Sequence, residues 1–264
     1  MSNNAPIGVF DSGLGGLSTL AELIHLLPKE DYVFFGDTGN NPYGTKPVPV
    51  VQDLTWNGVS FLISRGIKAL VIACNTATSV VIEDLRAKLE IPVFGIEPAV
   101  KPAITSGEQG KALIMATPLT IMESKFKQLL ESLQGGKSSA VPLACPGLAE
   151  LIEVDNQPGI RQRLKELFET IDKKEISSVV LGCTHYAFVK DEIQAALGKQ
   201  VHFFDGAEGL ARHVQHVLTQ DELLNEAGQG NVEYHMTGPV AEAQTVRARE
   251  IVDLLLSRKE SCKV

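Results

Sequence analysis

The chain has 264 residues, a formal net charge of −8 and 44% hydrophobic residues, enough for one large or two small domains with proper cores. The acidic balance, with no clustered Lys/Arg stripe, speaks against nucleic-acid partners, and the Lys173-Lys174 and Arg258-Lys259 doublets read as solvated helix ends. No apolar run reaches the roughly 18 residues of a membrane span, MSNNAPIGVF lacks a signal-peptide pattern, and Cys74, Cys145, Cys183 and Cys262 show no C-x-x-C spacing, so reduced thiols and a cytoplasmic location are expected.

Apolar runs alternate with helix-period segments along the chain, the pattern of a mainly parallel sheet covered by helices. Ile7 to Phe10 reads as a short strand. The loop Asp11-Ser12-Gly13-Leu14-Gly15-Gly16 then opens a helix with apolar positions at Leu17, Leu20, Leu23, Ile24 and Leu27, ended by Pro28. Tyr32 to Asp37 is the next strand, and a helix from Pro49 to Arg65 is expected to end on a left-handed Gly66. Ala69 to Ala73 forms a strand that runs into Cys74; a helix from Thr76 to Leu89 and a strand at Ile91 to Gly95 follow. From Lys111 the order begins again, with helices expected at Thr120–Leu133, Gln157–Ile171 and Lys190–Leu197 and one flexible turn at Gln134-Gly135-Gly136-Lys137. Ala207 to Leu218 is a helix, Val232 to Met236 an edge strand, and Ala241 to Leu256 an amphipathic helix. These last elements have no counterpart after the first unit, and they are expected to pack back on it.

The restart is a long-period repeat. ALVIA into Cys74-Asn75-Thr76 is answered by SVVLG into Cys183-Thr184-His185, and the two cysteines lie 109 residues apart. VFGIEP answers VHFFDGA, YVFFGD answers AVPLACP, and IGVFDSG answers KALIMATP with slight slippage. Two similar α/β units are therefore expected, residues 1–98 plus 208–264 and residues 99–207, each presenting a thiol at the carboxyl end of a central strand.

A thiol reacts as its thiolate, which a helix N-terminus favours, and both cysteines stand where a strand hands over to a following helix. The alternative reading, a small residue packed under a sheet, describes most free cysteines. It is weaker for two thiols at matched positions in a repeat, each followed closely by threonine. Cys183-x-His185 lacks the ligand count and spacing of a metal site. The Asp11–Gly16 loop matches neither nucleotide-binding glycine pattern; its glycines suit backbone N–H groups approaching a carboxylate. Asp11 is open to two readings, a plain cap or a carboxylate tuning a nearby thiol. Gly36 to Gly44, through Asp37, Asn40, Pro42 and Tyr43, is either a ligand loop at a strand's carboxyl end or a structural turn. Cys145 holds the repeat position of Gly36-Asp37 and reads as structural, with pocket lining as the alternative; Cys262 reads as incidental.

Taken together, DSGLGGLS, FGDTGNNPYG, ACNTATS, GIEP, ACPG…LIE and LGCTHY resemble the glutamate racemases of the aspartate/glutamate racemase superfamily, in order from Ile7 to about Asp205. Aspartate racemases carry histidine where this chain has Thr78-Ser79, and glutamate where it has His185, which favours the glutamate branch. The resemblance implies two similar α/β lobes of mainly parallel sheet, pseudo-two-fold related, with the active site in the cleft between them. It implies two-base racemisation of glutamate with no cofactor and no metal. Cys74 would handle the proton of the D-enantiomer with Asp11 assisting, and Cys183 that of the L-enantiomer with His185 and Glu153. Glu153 is the loosest transfer, because Gly147-Leu148-Ala149-Glu150 departs from the usual apolar run. Asp11, Ser12, Pro42, Tyr43, Gly44, Cys74, Asn75, Thr76, Thr117, Cys183, Thr184 and His185 would hold the substrate. Lys46-Pro47 and Thr237-Gly238-Pro239 also depart from the family, the second outside the chemistry. Implied partners are glutamate and a possible homodimer, and the implied role is supply of D-glutamate for peptidoglycan. A relative acting on aspartate or a hydantoin, or an amino-acid-binding module without catalysis, are the competing readings.

Overall fold

The computed structural model describes residues 3–106, 108–132 and 140–261. The expected turn at Gln134–Lys137 and Cys262 lie outside them. The chain divides into two compact units. Unit 1 comprises residues 1–43, 47–96 and 207–264, and unit 2 comprises residues 44–46 and 97–206.

Unit 1 holds a five-stranded parallel sheet in the order β4-β3-β1-β2-β9, with β1 at Ile7–Asp11, β2 at Tyr32–Gly36, β3 at Ala69–Ile72, β4 at Val93–Gly95 and β9 at Val232–Met236. Every residue of β1, β2 and β3 is buried, the consequence of helices lying on both faces of a parallel sheet. Helix α1 (Leu17–Leu26) packs against α10 (Ala207–Gln220) and α11 (Ala241–Ser261), while α2 (Val48–Ser64) packs against α3 (Asn75–Lys88). α1 stops two residues before Pro28, since the residue preceding a proline is disfavoured in helical backbone. Gly66 has φ +71°, the left-handed conformation expected after α2.

At the other end of the strands, Lys68 and Glu30 form a fully buried ion pair at 2.6 Å. Lys68 Nζ also donates to the carbonyls of Asn3 and Leu223, and Glu30 accepts from Asn225 N. The pair thus pins the N-terminal segment and the turn after α10 to the sheet. Removing one partner would strand a buried charge, at a cost of about 3–5 kcal/mol.

Unit 2 repeats the plan with four parallel strands in the order β6-β5-β7-β8: β5 at Lys111–Ala116, β6 at Ala140–Ala144, β7 at Ile176–Gly182 and β8 at His202–Asp205. Read from the other edge, this is the order of β4-β3-β1-β2, and main-chain bonds match as well. Asp37 N donates to Asp11 O in unit 1 and Cys145 N to Ala116 O in unit 2, both at 2.9 Å. Among the described residues, only unit 1 continues past that edge, with β9.

The expected single helix from Thr120 to Leu133 is instead two, α5 (Pro118–Met122) and α6 (Ser124–Ser132), broken where Glu123 turns extended at ψ 142°. The start moves to Pro118 because Thr117 caps it and proline suits the first helical position. α8 (Gln157–Phe168) ends short of Ile171, and Asp172 instead caps a short 3-10 turn. α9 spans Lys190–Leu197. Two helices of six residues, α4 (Val100–Thr105) and α7 (Leu148–Glu153), are too short to show periodicity in sequence. Among the described residues, no helix is long and apolar enough to cross a membrane.

Candidate active site

In unit 1 the carboxyl ends of β1 and β3 bring Asp11, Ser12 and Cys74 together. Cys74 is the N-cap of α3, and its sulfur accepts from Ala77 N at 3.4 Å. Ser12 Oγ lies 3.3 Å from the same sulfur. The thiol therefore faces a backbone N–H at a helix start and a hydroxyl, groups that favour negative sulfur.

Asp11 is fully buried and accepts from Gly13 N at 2.9 Å, so the loop's first turn folds over its carboxylate. A side chain at Gly16 would come within 2.5 Å of the Asp11 Cβ, which explains why a glycine stands there. Asn75 is 4% exposed and both polar atoms of its amide are buried without a protein partner. Buried amides are ordinarily satisfied, so this pair points to a bound ligand.

The loop after β2 is organised by Asp37. Its carboxylate accepts from Tyr43 OH at 2.6 Å, from Thr237 Oγ1 at 2.6 Å and from Asn40 Nδ2 at 3.0 Å. Burial, then the bond to Asp37, pushes the Tyr43 phenol far above the usual tyrosine range. Tyr43 therefore remains a donor to Asp37, and what it offers a substrate comes from its ring or main chain. Asn41 and Pro42 are joined by a cis peptide bond. Sequence reasoning set Thr237 outside the chemistry, but the fold brings its hydroxyl to this loop. The signal lay in two paired strands each followed by a Thr-Gly, Thr38-Gly39 after β2 and Thr237-Gly238 after β9.

In unit 2 Cys183 follows β7 and is 7% exposed. The expected helix start is corrected here. Thr184–Val189 is a 3-10 turn, Cys183 makes no side-chain cap, and α9 begins only at Lys190. Side chains take the helix's place. His185 Nδ1 lies 3.8 Å from Cys183 Sγ, and His185 Nε2 is 2.6 Å from Glu153 Oε2 at the end of α7. Burial alone would lower the His185 pKa, but its hydrogen bonds to Cys183 and Glu153 outweigh burial and hold it well above the ordinary histidine value. Glu153, the loosest assignment from sequence, is thus joined to Cys183 through one imidazole.

Thr117 occupies the repeat position of Ser12; its Oγ1 lies 2.9 Å from Thr120 Oγ1. A side chain at Gly44 would meet Thr117 Cβ at 2.6 Å, so this glycine permits a close approach. Thr76 and Thr184 are both buried beside their cysteines. Cys145 packs in the core of unit 2 with Leu148, Tyr186 and Cys183. Burial, with the neighbouring Cys183 adding, pushes its pKa up to about 12. Among the described residues, no three His, Cys, Asp or Glu side chains cluster as a metal would require.

Two α/β units, each with a parallel sheet and a matched thiol at a strand end, are the architecture expected of an amino-acid racemase. The Asp/Glu/Hydantoin racemase family model matches residues 47–214, more than half the chain, and the chain belongs to that family. It is similar to the glutamate racemase of Clostridium novyi (strain NT), with 50% identity over 223 residues covering 83% of this chain and 86% of that protein. It is also similar to the structure of glutamate racemase from Thermus thermophilus in complex with beta-chloro-D-alanine: 36% identity, TM-score 0.77, 95% of this chain and 94% of that one. The glutamate racemase structure from Francisella tularensis in complex with D-glutamate is 26% identical, with TM-score 0.78 over 97% and 94% of the two chains. Within its family the chain stands with the glutamate racemases, and it is an isomerase.

Proposed function

We propose that this enzyme interconverts L- and D-glutamate, without a cofactor, by proton transfer between two thiols and the α-carbon. The observation that carries the reading is the pair Cys74 and Cys183. They stand at equivalent strand ends, each beside a separate group able to take or return a proton. The similar proteins supply the substrate, since those named above are glutamate racemases.

In the L to D direction, the Cys183 thiolate takes the α-proton and becomes a thiol. The electron pair left on carbon spreads into the α-carboxylate. The Cys74 thiol then delivers its proton to the opposite face and becomes a thiolate; the D to L direction reverses both steps. His185, oriented by Glu153, and Asp11 move protons at their respective sulfurs between turnovers. Ser12, Pro42, Tyr43, Gly44, Asn75, Thr76, Thr117 and Thr184 bind the carboxylates and ammonium, and the unsatisfied Asn75 amide supplies both a donor and an acceptor. An amino-acid α-hydrogen is a weak acid, so donors preorganised around the developing carboxylate charge carry much of the barrier reduction. The cellular role is supply of D-glutamate for peptidoglycan in the cytoplasm.

The test is proton NMR of L-glutamate in deuterated water with purified protein and no added cofactor. Loss of the α-hydrogen signal together with D-glutamate in a chiral assay is expected. Exchange on aspartate or a hydantoin with none on glutamate would move the enzyme to another substrate of the family. Binding of glutamate without exchange would leave a binding module.

A further inference from the structure

We propose that Thr237, at the end of the strand unique to unit 1, is a positioning residue for substrate binding. It acts through Asp37 on the Gly36–Tyr43 loop. The inference rests on the glutamate reading only for the identity of the substrate.

Four hydrogen bonds converge on Thr237. β9 pairs with β2 so that Met236 stands opposite Gly36, and both strands leave the sheet side by side. The Thr237 hydroxyl accepts from Gly39 N at 2.9 Å and donates to Asp37 Oδ1 at 2.6 Å. Its carbonyl accepts from Thr38 Oγ1 at 2.7 Å, and its N–H donates to Gly36 O at 3.2 Å. One residue thereby fixes four successive residues of the loop, Gly36, Thr38 and Gly39 directly and Asp37 through a charge-assisted bond. Asp37, 3% exposed, passes the constraint to Tyr43 through its other oxygen.

The two glycines complete the fit. A side chain on Gly39 would come within 2.8 Å of Gly238 Cα, and one on Gly238 within 2.7 Å of Gly39 Cα. Gly238 also has φ +89°, a conformation side chains disfavour. Among the described residues, unit 2 has no counterpart of the segment from β9 to α11; there β6 is the edge strand and Cys145 stands at the position of Asp37. The extension therefore gives unit 1 a fixed loop that the repeat alone would leave at a sheet edge.

Thr237→Val keeps the shape of the side chain but removes both hydroxyl bonds. KM for both enantiomers is expected to rise tenfold or more, a loss of about 1.4 kcal/mol per decade, with kcat within about threefold of the parent. Thr237→Ser, which keeps the hydroxyl, is expected to restore KM to within about twofold. Amide hydrogen exchange of residues 38–43 without substrate should quicken in Thr237→Val and return in Thr237→Ser. If Thr237→Val is not recovered folded, Thr237→Ala is read by the same measurements. Parent-like KM and exchange in the valine or alanine variant, or a fall in kcat with KM unchanged, would overturn the proposal. Failure of the glutamate reading is distinguishable, because the parent enzyme itself would then leave glutamate unchanged while the exchange comparison still reports on the loop.

Discussion

Two units built on one strand order surround their cysteines with different groups. In unit 1 the thiol is served by the main chain and by short side chains next to it. Cys74 caps α3, Ser12 Oγ stands 3.3 Å away, and Asp11 closes β1. In unit 2 the position of Asp11 is taken by Ala116, and Cys183 precedes a 3-10 turn rather than an α-helix. Beside it stands a chain of side chains instead, His185 against Cys183 and Glu153 against His185. A repeat fixes where a thiol stands, while its neighbours remain free to diverge. Equivalent positions therefore do not imply equivalent surroundings.

The comparison can be broken most severely at the thiols. Cys74→Ser and Cys183→Ser are each expected to lower racemisation by at least about a thousandfold, since a serine hydroxyl is a far weaker acid than a thiol. Polarimetry or circular dichroism of glutamate measures this, and a variant retaining parental activity removes that sulfur from the mechanism.

His185→Asn is next, with kcat expected to fall about a hundredfold, the usual scale for losing a positioned acid–base group. Because the equilibrium constant for racemisation is one, kcat/KM must fall equally in both directions. The difference between the units shows instead in isotope effects. In His185→Asn the effect of α-deuteration should grow for L-glutamate relative to D-glutamate, and in Asp11→Asn the order should reverse. Equal changes for both substrates in both variants would mean the two units do not divide the enantiomers.

Glu153→Gln is expected to be milder, about tenfold in kcat, because the amide keeps an acceptor for the imidazole. Glu153 helps to raise the His185 pKa, so its removal must lower it. A group with a raised folded pKa stabilises the protein below its unfolded value and loses that contribution as pH passes the folded value. In Glu153→Gln this loss should therefore be smaller and be complete at lower pH. Proton NMR titration of His185 in the two proteins checks the direction.

The smallest effect is expected at Cys145, the third thiol. Cys145→Ala should leave kcat within about threefold and cost on the order of 1–2 kcal/mol of stability, as for a modest core truncation. In the parent protein Cys145 should resist alkylation at pH 8, because its pKa is pushed up to about 12. The unfolded thiol ionises near 9.0, so between 9.0 and about 12 the folded state binds more protons and loses stability as pH rises. Denaturation midpoints over that range should fall less steeply in Cys145→Ala, and equal slopes would place the effect elsewhere.

Much of this molecule was legible in the chain itself. The apolar runs of β1, β2, β3, β5 and β7 are buried on both faces, and so they stand out without periodicity. The recurrence of strand, cysteine and threonine exposed the repeat and both thiols, because each cysteine sits one or two residues beyond a recognisable strand. Proline and glycine marked the ends around α1 and α2 for steric reasons local to those residues. Other features depended on distant partners. No glycine or proline announces the break at Glu123, and α7 is too short for a periodic signal, so the helix that aims Glu153 at His185 came only from the fold. Thr237 lies 200 residues from Asp37 along the chain. Its role arises when β9 pairs with β2, because a hydrogen bond needs a partner within about 3 Å. Local backbone preference can be read in a sequence; that proximity is decided by the packing of the whole unit.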